Sequence, residues 1–117
     1  MPSPTATLRL RMIFDSRHAI GPGKIDLLEA LRDTGSITAA ARTMRMSYKR
    51  AWQLIDDLNH SFAEPLVAAS KGGEHGGGAE LTDTGRRVLE IYRSIERKAQ
   101  KSFAVELRQL TRLRARS

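Results

Sequence analysis

Cysteine is absent from the 117 residues. Disulfides, thiolate nucleophiles, cysteine-ligated zinc fingers and iron–sulfur clusters are therefore excluded. Aromatic residues are scarce at 5%, so aliphatic side chains must build the core. No apolar run approaches the ~18–20 residues of a membrane span. Residues 1–5, Met-Pro-Ser-Pro-Thr, lack the apolar stretch of a secretory signal, and a cytoplasmic location is the expectation. Enzyme motifs are missing too. His18, His60 and His75 are far apart in sequence, and none stands in a His-Glu-x-x-His spacing. There is no Gly-x-x-x-x-Gly-Lys-Ser/Thr loop and no Gly-x-Ser-x-Gly elbow, and Gly21-Pro22-Gly23 is not a dinucleotide fingerprint. Asp56 and Asp57 are adjacent on a helix and point apart, which suits solvation better than acid–base work. A non-enzyme with no cofactor and no metal site is expected.

What the chain does have is positive charge. Lys and Arg number 20 against 13 Asp and Glu, a net +7, and a small protein so basic usually meets a polyanion. Two stretches concentrate it. Residues 42–50 hold Arg42, Arg45, Lys49 and Arg50 with no acid, and residues 97–117 hold seven cations against Glu106 alone. Each such run reads equally as a solvated face. The basic end reads either as a phosphate-binding arm or as a solvated helix end.

The patterning predicts one mainly α-helical domain with a small β-hairpin. Residues 8–14 alternate, with Leu8, Leu10, Met12 and Phe14 inward and Arg9 and Arg11 outward, as in a half-buried strand. After Gly21-Pro22-Gly23 a helix fits residues 24–33, with Ile25, Leu28 and Leu31 on one stripe; Gly35 suits the left-handed position at its end. Ser36 caps a short helix carrying Ile37, Ala40, Ala41 and Met44. After the brief link Arg45-Met46, Ser47 caps a longer helix that runs to about His60. Its buried side is Ala51, Ile55, Leu58 and Phe62, with Trp52 adjoining. Short strands at residues 66–70 and 79–81 flank a glycine-rich tip. Thr82 then caps a long C-terminal helix in which Val88, Leu89, Ile91, Tyr92 and Ile95 recur at helical spacing. Residues 1–7 read as a frayed start, 8–97 as the domain, and 98–117 as a basic helical tail.

Two helices joined by so short a turn suit a helix-turn-helix. The N-terminal end of the second helix then faces base edges in the DNA major groove. That end offers Lys49, Arg50 and Gln53, outside the apolar stripe. Arg can grip guanine and Gln adenine with two hydrogen bonds each. Ser47 and Tyr48 suit phosphates, which fix register. A hairpin behind such a pair makes a winged helix, whose tip brings Lys71 and His75 to the backbone or minor groove. With Ser36 and Thr38 at the start of the first helix of the pair, these nine residues are the candidate DNA-binding set. The plain alternatives are an ordinary exposed amphipathic helix and a linker tip with no contacts.

Several strings resemble one family. Gly21-Pro22-Gly23-Lys24-Ile25-Asp26-Leu27-Leu28-Glu29-Ala30, Gly35-Ser36-Ile37-Thr38-Ala39-Ala40-Ala41, Met46-Ser47-Tyr48-Lys49-Arg50-Ala51-Trp52, Glu64-Pro65-Leu66-Val67 and Leu81-Thr82-Asp83-Thr84-Gly85 occur in the order found in the N-terminal domain of ModE-type regulators. The second and the last are shared more widely with LysR-type regulators. The resemblance implies a LysR-like winged helix that binds double-stranded DNA as a homodimer, in a molybdate-responsive transcriptional regulator. In ModE-type proteins the oxyanion sensor is a separate pair of C-terminal Mop-like domains. Residues 98–117 show no such pattern, so sensing is expected to fall to a separate oxyanion-sensing partner or to be lacking. A winged helix that binds RNA or another protein is the rival reading, since fold alone does not assign function.

Overall fold

The fold is built on three serine and threonine caps and one glycine. In the computed structural model, which describes residues 6–70 and 78–115, strands β1 (Met12–Ile13) and β2 (Ala19–Ile20) precede helices α1 (Pro22–Thr34), α2 (Ile37–Thr43) and α3 (Tyr48–Ser61). Strands β3 (Val67–Ala69) and β4 (Ala79–Leu81) follow, and then helices α4 (Asp83–Ser102) and α5 (Ala104–Leu113). Pro22 opens α1, where its missing N–H costs nothing. Gly35 closes it at φ 69°, donating to the Leu31 carbonyl. The hydroxyls of Ser36, Ser47 and Thr82 each accept a hydrogen bond from a first-turn N–H, of Ala39, Arg50 and Gly85 respectively. Each cap holds about 1 kcal/mol of helix stability.

Helices α1, α2 and α3 pack around Ile25, Leu27, Leu28, Leu31, Ala40, Ala41, Ala51, Leu54, Ile55 and Leu58, and Leu66, Val67, Ala79, Leu81, Leu89 and Tyr92 extend the same core. Burying each large aliphatic side chain contributes roughly 1.5–3 kcal/mol. Ala40, Ala41 and Ala51 let the helix-turn-helix pair approach closely. Strands β3 and β4 pair antiparallel, with Val67 opposite Leu81 and Ala69 opposite Ala79. The hairpin is stitched to the start of α2, since Ser36 bridges Gly78 and the Ala79 N–H donates to the Gly35 carbonyl at 3.1 Å.

The expected strand over residues 8–14 is shorter in the structure. Only Met12 and Ile13 pair, with Ile20 and Ala19 of the same chain. Leu8 and Leu10 are half-buried while Arg9 and Arg11 face solvent, as the alternation requires. Phe14 does not turn inward; it is 54% exposed. The reason is a tight reversal, in which the Phe14 N–H donates to the His18 carbonyl at 2.9 Å and the Asp15 carboxylate gathers the N–H groups of Arg17 and His18. The N-terminal segment is held on the last two helices instead. The Tyr92 hydroxyl donates to the Leu10 carbonyl. The Gln100 amide accepts from the Leu8 N–H and donates to the Ala6 carbonyl, and the Ala6 N–H donates to Thr111 Oγ1.

The last helix is broken once. Backbone at Phe103 (φ −102°, ψ 20°) separates α4 from α5, and the bend lets Gln100 and Thr111 hold Ala6 from two helices at once. Arg93 locks α4 to α1, reaching Asp26 (2.9 Å) and Glu29 (3.2 Å) while also pairing with Glu96 (2.8 Å). These partners push its guanidinium further toward the charged form against the cost of partial burial. No helix among the described residues is long and apolar enough to cross a membrane.

Candidate nucleic-acid interface

Ala51, Leu54, Ile55 and Leu58 form the stripe that α3 buries. Helical geometry then turns Tyr48, Lys49, Arg50, Trp52 and Gln53 toward solvent, and all five are exposed. Ser47 starts the helix at the molecular surface, its Oγ 3.0 Å from the Arg50 nitrogen. Cap, cations and amide therefore lie within the first two turns of one exposed helix. Thr38 is exposed on the first turn of α2, and Ser36 is half-buried beneath the hairpin. Ser36 and Thr38 thus lie at the start of α2, and Ser47, Tyr48, Lys49, Arg50 and Gln53 at the start of α3, the helix packed against it. Lys71 and His75 lie outside the described residues.

Two expectations need correction. Trp52 does not adjoin the core as a buried ring; it is 50% exposed. It stands one turn beyond Tyr48, itself 51% exposed, so the two rings share the solvent face with Lys49 and Gln53. Trp52 is thus a solvent-face residue that hydropathy alone assigns wrongly. The signal that finds it is angular, since it lies nearer Tyr48 and Lys49 around the helix than it does Ala51. The second correction concerns α4. The stripe of Val88, Leu89, Ile91, Tyr92 and Ile95 is covered only in part, with Leu89 and Tyr92 buried in this chain's own core. What α4 leaves uncovered is Ile91 and Ile95. With Met12, Phe14, Ile20, Phe62, Val88 and Tyr92 they line an apolar depression of about 230 Å³.

The same stretch of chain is free of carboxylates. Residues 34–55 contain no Asp or Glu but hold Arg42, Arg45, Lys49 and Arg50. Among the described residues none of these four cations forms an ion pair, whereas Arg9, Arg32, Arg86 and Arg93 are all matched by carboxylates. Arg11, Arg17, Lys24, Arg87 and the cations of residues 97–114 are likewise without an ion pair among the described residues, so what distinguishes this stretch is that its cations stand where no carboxylate occurs. The turn between them closes tightly. The Arg45 N–H donates to the Arg42 carbonyl (3.1 Å) and the Met46 N–H to the Ala41 carbonyl (3.0 Å). This reciprocal pair ends α2 and aims α3 away from it.

A helix pair with a tight turn, a stitched hairpin behind it and an exposed cationic face on the second helix define a winged helix-turn-helix protein. The family described as bacterial regulatory helix-turn-helix protein, lysR family, matches residues 23–86, more than half of the chain, and the chain belongs to that family. It is similar to the molybdenum transport protein ModE of Azotobacter vinelandii, with 44% identity over 88 residues, 75% of this chain and 33% of that one. It is also similar to the DNA-binding transcriptional dual regulator ModE of Escherichia coli K12, with 38% identity over 100 residues, 86% of this chain and 38% of that one. The chain thus spans about a third of the length of these curated relatives. Among solved structures, the DNA-binding domain of CbnR in its DNA complex aligns over 78% of this chain and 95% of that one. Its TM-score is 0.58 at 24% identity, a likeness of fold.

Proposed function

We propose that this chain is the DNA-reading part of a ModE-like transcriptional regulator, which recognises a palindromic operator in double-stranded DNA as a homodimer. The observation that carries the reading is the exposed, unpaired N-terminal face of α3. Arg50 and Gln53 read base edges there, while Ser36, Thr38, Ser47, Tyr48 and Lys49 hold phosphates and fix register. Lys71 and His75 extend the contact along the backbone. Residues 8–97 carry DNA reading and self-association, with residues 98–117 as a basic helical extension.

The second copy is argued from geometry. One winged helix covers few base pairs, and two-fold sites supply the missing specificity. The apolar depression between β1 and α4, rimmed by Phe14, Ile91 and Ile95, gives such a copy a surface to bury. The relatives' names tie the regulation to molybdenum, and the oxyanion sensor is in this reading a separate unit.

The test is selection of bound sequences from a random duplex pool. The expected product is an inverted repeat with half-sites about one helical turn, ~34–36 Å, or a multiple of it apart. Absence of enrichment, or tighter binding to structured RNA, overturns the reading. Sedimentation at micromolar concentration should show a dimer, and a stable monomer would contradict the two-fold site. Molybdate added to this chain alone should leave operator affinity unchanged.

A further inference from the structure

Among the described residues Arg45 is the one non-glycine with positive φ, at 56°. A side chain in that region is strained, and helix ends that need it usually take glycine. The same chain does so at Gly35, where φ is 69° and α1 ends on a comparable N–H to carbonyl bond. At the end of α2 a long cation stands in glycine's place. The left-handed backbone closes the turn, but the arginine side chain adds nothing to it that glycine would not. Arg45 is exposed, and among the described residues its guanidinium forms neither a hydrogen bond nor an ion pair. The C-terminal dipole of α2 does not require it, because Arg42 already occupies the last turn. Arg45 does stand two residues before Ser47, beside the cationic start of α3, in a stretch without a carboxylate.

We infer that Arg45 is a phosphate clamp: its guanidinium grips a backbone phosphate flanking the groove that α3 enters. The inference rests on the function proposed above and adds a contact to it. A planar guanidinium matches phosphate oxygens two at a time, and such a contact fixes register without reading sequence. A residue held in a strained conformation with no internal partner is the expected form of a group kept for an external one.

The test compares Arg45→Gly and Arg45→Lys with the wild type by thermal melting and by fluorescence anisotropy. The probes are a selected operator duplex and an unrelated duplex, over a salt series. Arg45→Gly should melt at a higher temperature, because the strain is gone. It should weaken both duplexes by a similar factor and flatten the slope of log K against log salt by about 0.9 per protomer, about 1.8 for the dimer. Arg45→Lys should keep the slope. An Arg45→Gly protein that binds both duplexes as the wild type does, at the same slope, overturns the clamp and leaves the proposed function standing. A lower melting temperature with unchanged binding assigns Arg45 to the helix end and overturns it too. A wild type that binds neither duplex overturns the proposed function itself.

Discussion

Gly85 lies in the first turn of α4, and the structure predicts that replacing it with alanine damages the protein, against the ordinary preference of helices. Gly→Ala inside a helix normally gains up to about 1 kcal/mol. Here an added Cβ would sit 2.1 Å from the Leu66 carbonyl oxygen, 3.0 Å from its carbon and 3.2 Å from its Cα. These are backbone atoms that cannot rotate away. The same carbonyl accepts the Thr82 N–H at 2.9 Å, and the Thr82 hydroxyl donates to the Pro65 carbonyl at 2.7 Å. Relief requires α4 to back off by about an ångström, the shortfall against ordinary contact. That movement strains packing around the fully buried Leu66, at roughly 1–3 kcal/mol, and weakens a hydrogen bond that contributes about 1 kcal/mol. After the helix gain is subtracted, the net loss is about 2 kcal/mol. For a domain of this size that lowers Tm by on the order of 10 °C. The assay is circular dichroism at the helix band on heating, with a urea midpoint taken alongside. Gly23→Ala is the control, since a Cβ there meets nothing within 4 Å, and it should be neutral or slightly stabilising. A Gly85→Ala protein that melts at or above the wild-type temperature would show that the Leu66 carbonyl does not crowd this position.

Asn59 ties the end of α3 to the hairpin. Its amide accepts from the N–H groups of Leu66 (2.9 Å) and Val67 (3.1 Å) and donates to the Val67 carbonyl (3.1 Å). Asn59→Ala should cost about 2 kcal/mol in urea unfolding, and a loss below about 0.5 kcal/mol would contradict the bridge. The exposed Asp15 carboxyl is held below its usual 3.8, first by the hydrogen bond with the His18 side chain and then by the Arg17 backbone N–H. A carboxylate lowered in the folded state adds stability that is present above the unfolded pKa and lost as pH falls through the folded one. Its contribution therefore disappears only below 3.8. His18→Ala should move the Asp15 titration back up when followed by NMR, and an unmoved midpoint would remove the imidazole as the cause. Arg50→Ala should cost on the order of 1–3 kcal/mol on the selected operator and relax the preferred base at one position. Unchanged site preference would take Arg50 out of the readout. Trp52→Ala, with half its ring in water, should fall well short of the ~3–5 kcal/mol of a buried aromatic and show instead in DNA affinity.

The parts of the fold legible in the sequence are those set by local chemistry. Ser36, Ser47 and Thr82 cap the helices they precede, and Gly35 takes the left-handed turn, because a short hydroxyl or a missing Cβ does the same work in any context. The apolar stripe of α3 is legible at Ala51, Ile55 and Leu58, although Leu54 completes it. What is not legible depends on partners distant in sequence. Tyr92 is buried with its hydroxyl on the Leu10 carbonyl, and Arg93 is half-buried where Asp26 and Glu29 face it from α1. The break at Phe103 carries no glycine or proline to announce it, and the N-terminal segment is held on both helices across it. Phe14 and Trp52 mislead for one shared reason: a large ring raises the expectation of burial, but only the backbone path decides it. The exposed face of α3 is legible at Ser47, Tyr48, Lys49, Arg50 and Gln53, where cap and period suffice. The positive φ at Arg45 is not, because arginine has no preference for that conformation.

The most direct measurement is a ¹⁵N–¹H NMR titration of the assigned protein with an operator duplex. The amide signals of residues 45–53 should move most, with those at the start of α2 behind them, and a single set of shifted signals is expected from a two-fold complex. If these signals stay in place while others on α4 or α5 shift, the groove-reading role of α3 is contradicted.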